Sequence, residues 1–307
     1  MTIIRSLLYQ GGIGTALTYQ VSYFSIKKFR GNLKFCDITP LMLREFEGWM
    51  IDMKGQTKTT VGIHVRCLRA VMNEAIERKI MNRDDYPFGR RRYRIPSGRN
   101  IKKALAKSEI AKIYYAEVRD SSQEKARDFW FFSFYGHGMN VKDIVQLKYK
   151  NIKSEFLVFE RAKTEFTARG GEPIIISCYI NQEMWNVIEK WGNKIKDPEN
   201  YIFPILIPGL TSLRQYELKD NFLHFINKNM AKICEQEGMT KKIKTMETRH
   251  SASTFMKNAG VSPHFIKESL GHTSLKTTEN YLAGFENEQI KEFSKILDDF
   301  KKIDSPK

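Results

Sequence analysis

Thr248-Arg249-His250-Ser251, then Leu270-Gly271-His272, then Tyr281 nine residues beyond that histidine decide how this chain is read. Between the first two groups lies Val261-Ser262-Pro263. Ser262 can cap a helix that Pro263 opens and Gly271 ends, with Thr273 or Ser274 capping the next. For its backbone alone, the stretch reads as a helix-turn-helix. For its side chains, it holds three groups suited to phosphate. Arg249 presents a planar fork of donors. His272 supplies another donor. Tyr281 carries an oxygen nucleophile able to form a covalent phosphate ester. They fall on consecutive elements, which a tight helical fold can bring to one point.

Upstream of this stretch the apolar periodicity is mostly helical. Thr15 to Ile26, Pro40 to Met53 and Thr59 to Arg78 carry apolar residues at three- and four-residue spacing. In the last, Val61, Val65, Leu68, Val71, Met72 and Ile76 form one stripe, with Arg66, Arg69 and Arg78 off it. Ser108 can cap a further helix, and the aromatic run Asp128 to Tyr135 reads as a buried one. Phe156 to Phe159 and Pro173 to Ser177 alternate as strands, joined by a loop holding Arg169, Gly170 and Gly171. Helices return from Met184, and a last one is expected from Glu288 to Phe300. The fold class expected is mainly α with a small β-hairpin or sheet.

Composition narrows the function classes. The chain has 307 residues, with 51 Lys and Arg against 35 Asp and Glu, a formal charge of +16. Residues 1–103 hold 20 of the basic and 8 of the acidic side chains, so most of the excess lies in the first third. It peaks at Arg90, Arg91, Arg92, Arg94, Arg99, Lys102 and Lys103, in a stretch broken by Pro87, Gly89, Pro96 and Gly98. Proline and glycine interrupt a helical ladder, so residues 89–103 read as an extended basic linker. A solvated hinge and a strip that contacts a polyanion both fit it. The basic domain before it favours the polyanion, because Lys and Arg on phosphates dominate nucleic-acid affinity. No apolar run approaches the roughly 20 residues needed to span a bilayer, and the first eight residues are too short for a secretory signal. Cys36, Cys67, Cys178 and Cys234 are scattered without metal-ligand spacing, as in a reduced cytoplasmic protein.

The motifs add a resemblance. Arg249, then Leu270-Gly271-His272, then Thr277-Thr278-Glu279-Asn280-Tyr281 is similar to the signature of the tyrosine recombinases, the phage integrase family. The chain most resembles integrases of bacterial mobile elements such as conjugative transposons. Gly14 to Tyr19 and Tyr86-Pro87-Phe88 look like the limits of that family's helical, SAM-like core-binding domain. Arg161-Ala162-Lys163-Thr164 looks like the hairpin that bears its lysine, and Tyr201-Ile202-Phe203-Pro204 like a later landmark. The resemblance implies a core-type DNA-binding domain at 1–88, the linker at 89–103 and a catalytic domain at 104–307, closing as a clamp on duplex DNA. It implies self-association into a tetramer on the recombination site, a bacterial cytoplasmic setting, and no metal, cofactor, membrane or small-molecule substrate. Tyr281 would attack the scissile phosphate, Arg249 and His272 would hold its oxygens, and Lys163 would protonate the leaving 5′-oxygen. The family often has a further N-terminal arm-binding domain, which the resemblance does not reach here.

Two positions depart from the pattern. Asn140 stands where the family's first arginine is expected, and Met246 where a histidine three before the second arginine is usual. Asn140 carries no charge, and the Met246 thioether cannot accept a proton. Each loss would cost on the order of 2–4 kcal/mol of transition-state stabilisation if uncompensated. His137, Lys142 and Arg161 are the local candidates to replace the missing charge, while His250 is expected to be structural. The expected function is site-specific recombination. A weakened or inactive relative that binds DNA as an accessory protein is the alternative, and a type IB topoisomerase a third reading that the N-terminal domain opposes.

Overall fold

The computed structural model describes residues 2–98, 103–162 and 173–272, together with Leu275 and Thr278. It divides into two compact units, Met1–Asn100 and Ile101–Lys307. In the first, four helices run in order: α1 (Thr2–Tyr9), α2 (Ile13–Arg30), α3 (Pro40–Gly48) and α4 (Lys58–Glu77). Thr39 accepts the Met42 N–H at the start of α3, with Pro40 in the first turn, and Thr57 does the same for Thr60 in α4. A π turn, Trp49–Met53, extends α3 to the limit its periodicity predicts. The α4 stripe faces the core. Val61, Val65 and Met72 are fully buried against Met42, Leu43 and Phe46 of α3. Each such side chain contributes about 1.5–3 kcal/mol on burial. His64 is buried with its Nδ1 3.0 Å from Ser22 Oγ, a packed structural histidine. Burial lowers its pKa. Helix α1 is additional to the sequence expectation.

Residues 89–98, expected as an extended linker, fold back onto this unit. Tyr93 is 3% exposed in the core beside Phe88, and its hydroxyl donates to Glu47 Oε2 at 2.7 Å. Arg90, Arg91 and Arg94 project from that anchor and are exposed. Arg92 is exposed too, but its guanidinium donates to the carbonyls of Asp84 (2.7 Å) and Tyr86. Lys103 is exposed, while Arg99 and Lys102 lie outside the described residues.

The second unit is built on α5 (Lys107–Tyr115), α6 (Ser121–Tyr135) and α7 (Val141–Gln146). Three short strands follow, β1 (Ile152–Lys153), β2 (Phe156–Glu160) and β3 (Ile175–Tyr179), and then α8 (Gln182–Trp191), α9 (Ser212–Gln236), α10 (Thr245–Asn258) and α11 (Pro263–Ser269). The sheet is antiparallel in the order β1-β2-β3, with Leu157 opposite Cys178 and Phe159 opposite Ile176. Those four side chains are the buried set of the alternation. Helix α6 is the unit's axis: Phe129, Trp130 and Phe132 are fully buried, with Phe129 edge-on to Phe203 at 4.7 Å and to Phe222 at 4.8 Å.

Three boundaries differ from the sequence expectation. Helix α6 begins seven residues earlier than Asp128, because Asp120 caps it through Gln123 N and its first turns are polar. Ser108 does not cap α5. It lies in the first turn, and the Glu109 carboxylate takes the Ala106 N–H at 2.8 Å instead. Strand β3 starts two residues after Pro173. The hairpin loop and the helix expected at 288–300 lie outside the described residues. Among the described residues, no helix is long and apolar enough to cross a membrane. All four cysteines are free, and burial pushes the Cys178 thiol up to about 12.

Candidate active site

Helix α10 carries Arg249, and the turn after α11 carries His272. Trp130 in α6 donates from Nε1 to the Lys244 carbonyl at 3.1 Å, which anchors the start of α10. One turn on, Ser133 Oγ lies 2.8 Å from Thr248 Oγ1, so α6 and α10 meet directly beside Arg249. Ser133 also accepts the N–H groups of Gly138 (2.8 Å) and Met139 (3.1 Å) on its carbonyl. The turn between α6 and α7 is thereby strapped under α10. At Gly138 the backbones come so close that a Cβ would sit 2.3 Å from Arg249 Cα, and φ is +75°. Only glycine fits there.

Arg249 is 4% exposed, and its guanidinium reaches the following acceptors among the described residues. Nη1 donates to the Gly138 carbonyl at 3.3 Å, while Nη2 donates to the Leu270 carbonyl and lies 3.0 Å from His272 Nε2. An arginine is a donor only, so His272 accepts through Nε2 and carries its proton on Nδ1. That nitrogen lies 3.0 Å from Thr278 Oγ1, which accepts the proton and fixes the ring. Two of the three residues read as phosphate-directed are therefore in contact, and both are buried. Tyr281 lies outside the described residues, as does Lys163.

The substituted positions have definite surroundings. Asn140 is the N-cap residue of α7 and makes no side-chain capping bond, while its amide favours the charged form of the Asp143 carboxyl. Asp143 is 3% exposed and accepts the Ala162 N–H at 2.9 Å. Burial pushes its carboxyl up, against the Ala162 amide and the charges of Arg161 and Arg249. Met246 is 44% exposed, one turn before Arg249. The three residues considered as substitute cations differ sharply. Arg161 is buried and donates to the Gly271 carbonyl. Lys142 donates from Nζ to the Ala162 carbonyl at 2.8 Å. His137 holds a left-handed backbone (φ 56°), and its buried Nδ1 has no hydrogen-bond partner among the described residues. Burial lowers its pKa. His250 is buried in α10.

Asp143 and Thr278 were given no role by sequence reasoning. Asp143 had a usable signal: a carboxylate inside Val141-Lys142-Asp143-Ile144-Val145 must be partnered once its neighbours are buried. Thr278 had none, because its contact depends on where the chain returns after His272.

The profile of the Phage integrase family matches residues 103–288, and that of the Phage integrase SAM-like domain matches residues 4–95. A tyrosine recombinase of Pseudothermotoga lettingae is 25% identical over 203 residues, which are 65% of this chain and 62% of that protein. The chain thus spans under two thirds of that relative's length. Among solved structures, the Tn1549 transposon integrase in complex with transposon right-end DNA has the same fold, with a TM-score of 0.65 at 14% identity over 95% of this chain and 97% of that one. A lambda integrase tetramer bound to a Holliday junction matches with a TM-score of 0.61 at 16% identity, over 89% and 73% of the two chains.

Proposed function

Since the chain belongs to the phage integrase family, we propose that it is a site-specific recombinase that cuts and rejoins duplex DNA, integrating or excising a mobile element. The observation that carries this reading is the buried contact between Arg249 and His272, 3.0 Å apart. A buried guanidinium held beside a histidine acceptor is useful where an anion arrives. A scissile phosphate would take the place of His272 as the acceptor for Arg249. His272 would then donate from Nε2, by tautomer exchange or by gaining a proton. The Tyr281 oxygen attacks phosphorus, the bond to the 5′-oxygen breaks, and Lys163 gives that oxygen its proton. The phenolic proton leaves to water or to a phosphate oxygen, because Met246 offers no base. The phosphotyrosine keeps the bond energy, so the hydroxyl of a second strand reverses the step.

His137 is the substitute for the missing first arginine. The support for this reading is its Nδ1, buried without a hydrogen-bond partner among the described residues, on a left-handed backbone in the turn under Arg249. Residues 1–88 serve as the core-type DNA-binding domain and 104–307 as the catalytic domain, with the basic segment at 89–103 on the phosphate backbone. A tetramer on the recombination site, in a bacterial cytoplasm, completes the reading. It is supported by the lambda integrase tetramer and the four free cysteines.

The test is trapping on a nicked suicide substrate carrying the core site. Denaturing gels should show a covalent protein–DNA band that Tyr281→Phe abolishes. Persistence of the band would move the nucleophile elsewhere, with Tyr179 and Tyr201 next to examine. No band on a site that the protein binds would favour the accessory-protein alternative.

A further inference from the structure

Helix α7 grips the chain immediately before Lys163. Both polar backbone groups of Ala162 are taken by neighbouring residues of α7: its N–H donates to Asp143 Oδ1 at 2.9 Å, and its carbonyl accepts from Lys142 Nζ at 2.8 Å. The preceding residue makes a sheet-like backbone bond, Arg161 N–H to the Ile174 carbonyl at 2.9 Å. The Lys142–Ala162–Asp143 clamp holds the next residue from the side of α7. Ala162 is 6% exposed and Asp143 is 3% exposed, so the Asp143 half of the clamp is shielded from water, while the Lys142 half is part-buried.

We propose that Lys142 is a positioning residue for the general acid: by holding the Ala162 carbonyl, it fixes the backbone immediately before Lys163 in the sequence. This rests on the reading of Lys163 as the proton donor. It also gives Lys142 a task different from supplying the missing phosphate charge. With the peptide groups on either side of its Cα both held, Ala162 resists rotation, and displacement of a reacting group by about 1 Å can cost on the order of 10²-fold in rate. A lysine suits the task because its flexible stem reaches over the turn and its ammonium makes a charge-assisted hydrogen bond to the carbonyl.

The experiment compares suicide substrates that carry either oxygen or sulfur at the 5′-bridging position. An alkoxide needs a proton to leave, whereas a thiolate, with a pKa of about 8.5, leaves without one. Lys142→Met should slow adduct formation on the oxygen substrate on the order of 10- to 100-fold and leave the sulfur substrate nearly unchanged. Lys142→Arg should recover part of the loss, and gel-shift affinity for the core site should not move. Equal loss on both substrates would place Lys142 on the phosphate, and no loss on either would make the bond incidental. Either result overturns the proposal. Lys163→Ala, run beside it, should fail on oxygen and recover on sulfur. If it does not recover, the reading of Lys163 falls, and the clamp proposal with it. If Lys163→Ala recovers and Lys142→Met does not, the clamp proposal alone falls. Should Lys142→Met melt below the assay temperature, Lys142→Gln keeps a neutral donor and is judged by the same oxygen-to-sulfur ratio.

Discussion

His137 combines three unusual properties: a left-handed backbone, a buried ring nitrogen without a partner among the described residues, and a pKa lowered by burial from 6.5. Each has a measurable consequence. Because the folded ring holds its proton less tightly than the unfolded one, the unfolded chain gains protons first as pH falls. Stability from this site is complete above about 6.5 and declines below it. His64, also lowered by burial, adds to the decline in the first unit. His137→Asn tolerates the left-handed backbone but cannot titrate. It should make the fall in melting temperature between about pH 7 and pH 5.5 shallower. A phosphate beside the ring raises its pKa again, so core-site affinity should rise as pH drops through that range, and His137→Asn should flatten the rise. Cleavage should also drop on the order of 10²-fold, as loss of a transition-state donor does. If affinity stays pH-independent in the wild type, His137 is a packing residue.

The junction of α6, α7 and α10 puts Gly138 under Arg249, and the closeness of that approach is testable. Gly138→Ala adds left-handed strain and a Cβ 2.3 Å from a backbone atom that cannot give way. The expected loss is about 2–5 kcal/mol, read as a lower urea midpoint at unchanged slope, with cleavage lost. Gly209 is the control. It has φ +82° with nothing within 4 Å of its Cβ position, so Gly209→Ala carries the strain alone, about 1–2 kcal/mol. If both variants lose the same amount, the contact with Arg249 contributes nothing and only backbone strain is being measured.

Across the whole molecule, charge is concentrated in the first third, and the structure sorts its arginines. Arg90, Arg91 and Arg94 are exposed beside the buried Tyr93, whereas Arg92 braces the Asp84 and Tyr86 carbonyls. Arg90→Ala/Arg91→Ala/Arg94→Ala should weaken binding to all duplexes alike. The slope of log K against log salt should fall by roughly 0.9 for each lost phosphate contact. Arg92→Ala should leave that slope alone and lower the melting temperature, at a cost of about 1 kcal/mol. An unchanged slope in the triple variant would mean the segment is a solvated strip.

The sequence by itself determined most of the helical periods, the strand pair and the mainly helical fold class. Period, capping residues and motif spacing are local properties, written in order along the chain. It also marked Asn140 and Met246 as departures. What it left open was what each departure touches. Arg161, Lys142 and His137 are equivalent in the sequence as nearby basic groups. Tertiary packing separated them, because which carbonyl lies within reach of a guanidinium or an ammonium depends on elements distant in the chain. Gly271 follows Arg161 by 110 positions, and Gly138 precedes Arg249 by 111. The same holds for residues 89–98. Their prolines and glycines rule out a regular helix, but Tyr93 is drawn into the apolar cluster that α3 and α4 form together. Burial decided the chemistry of Asp143 and His137 as well, since desolvation is a property of the assembled fold and of no residue alone.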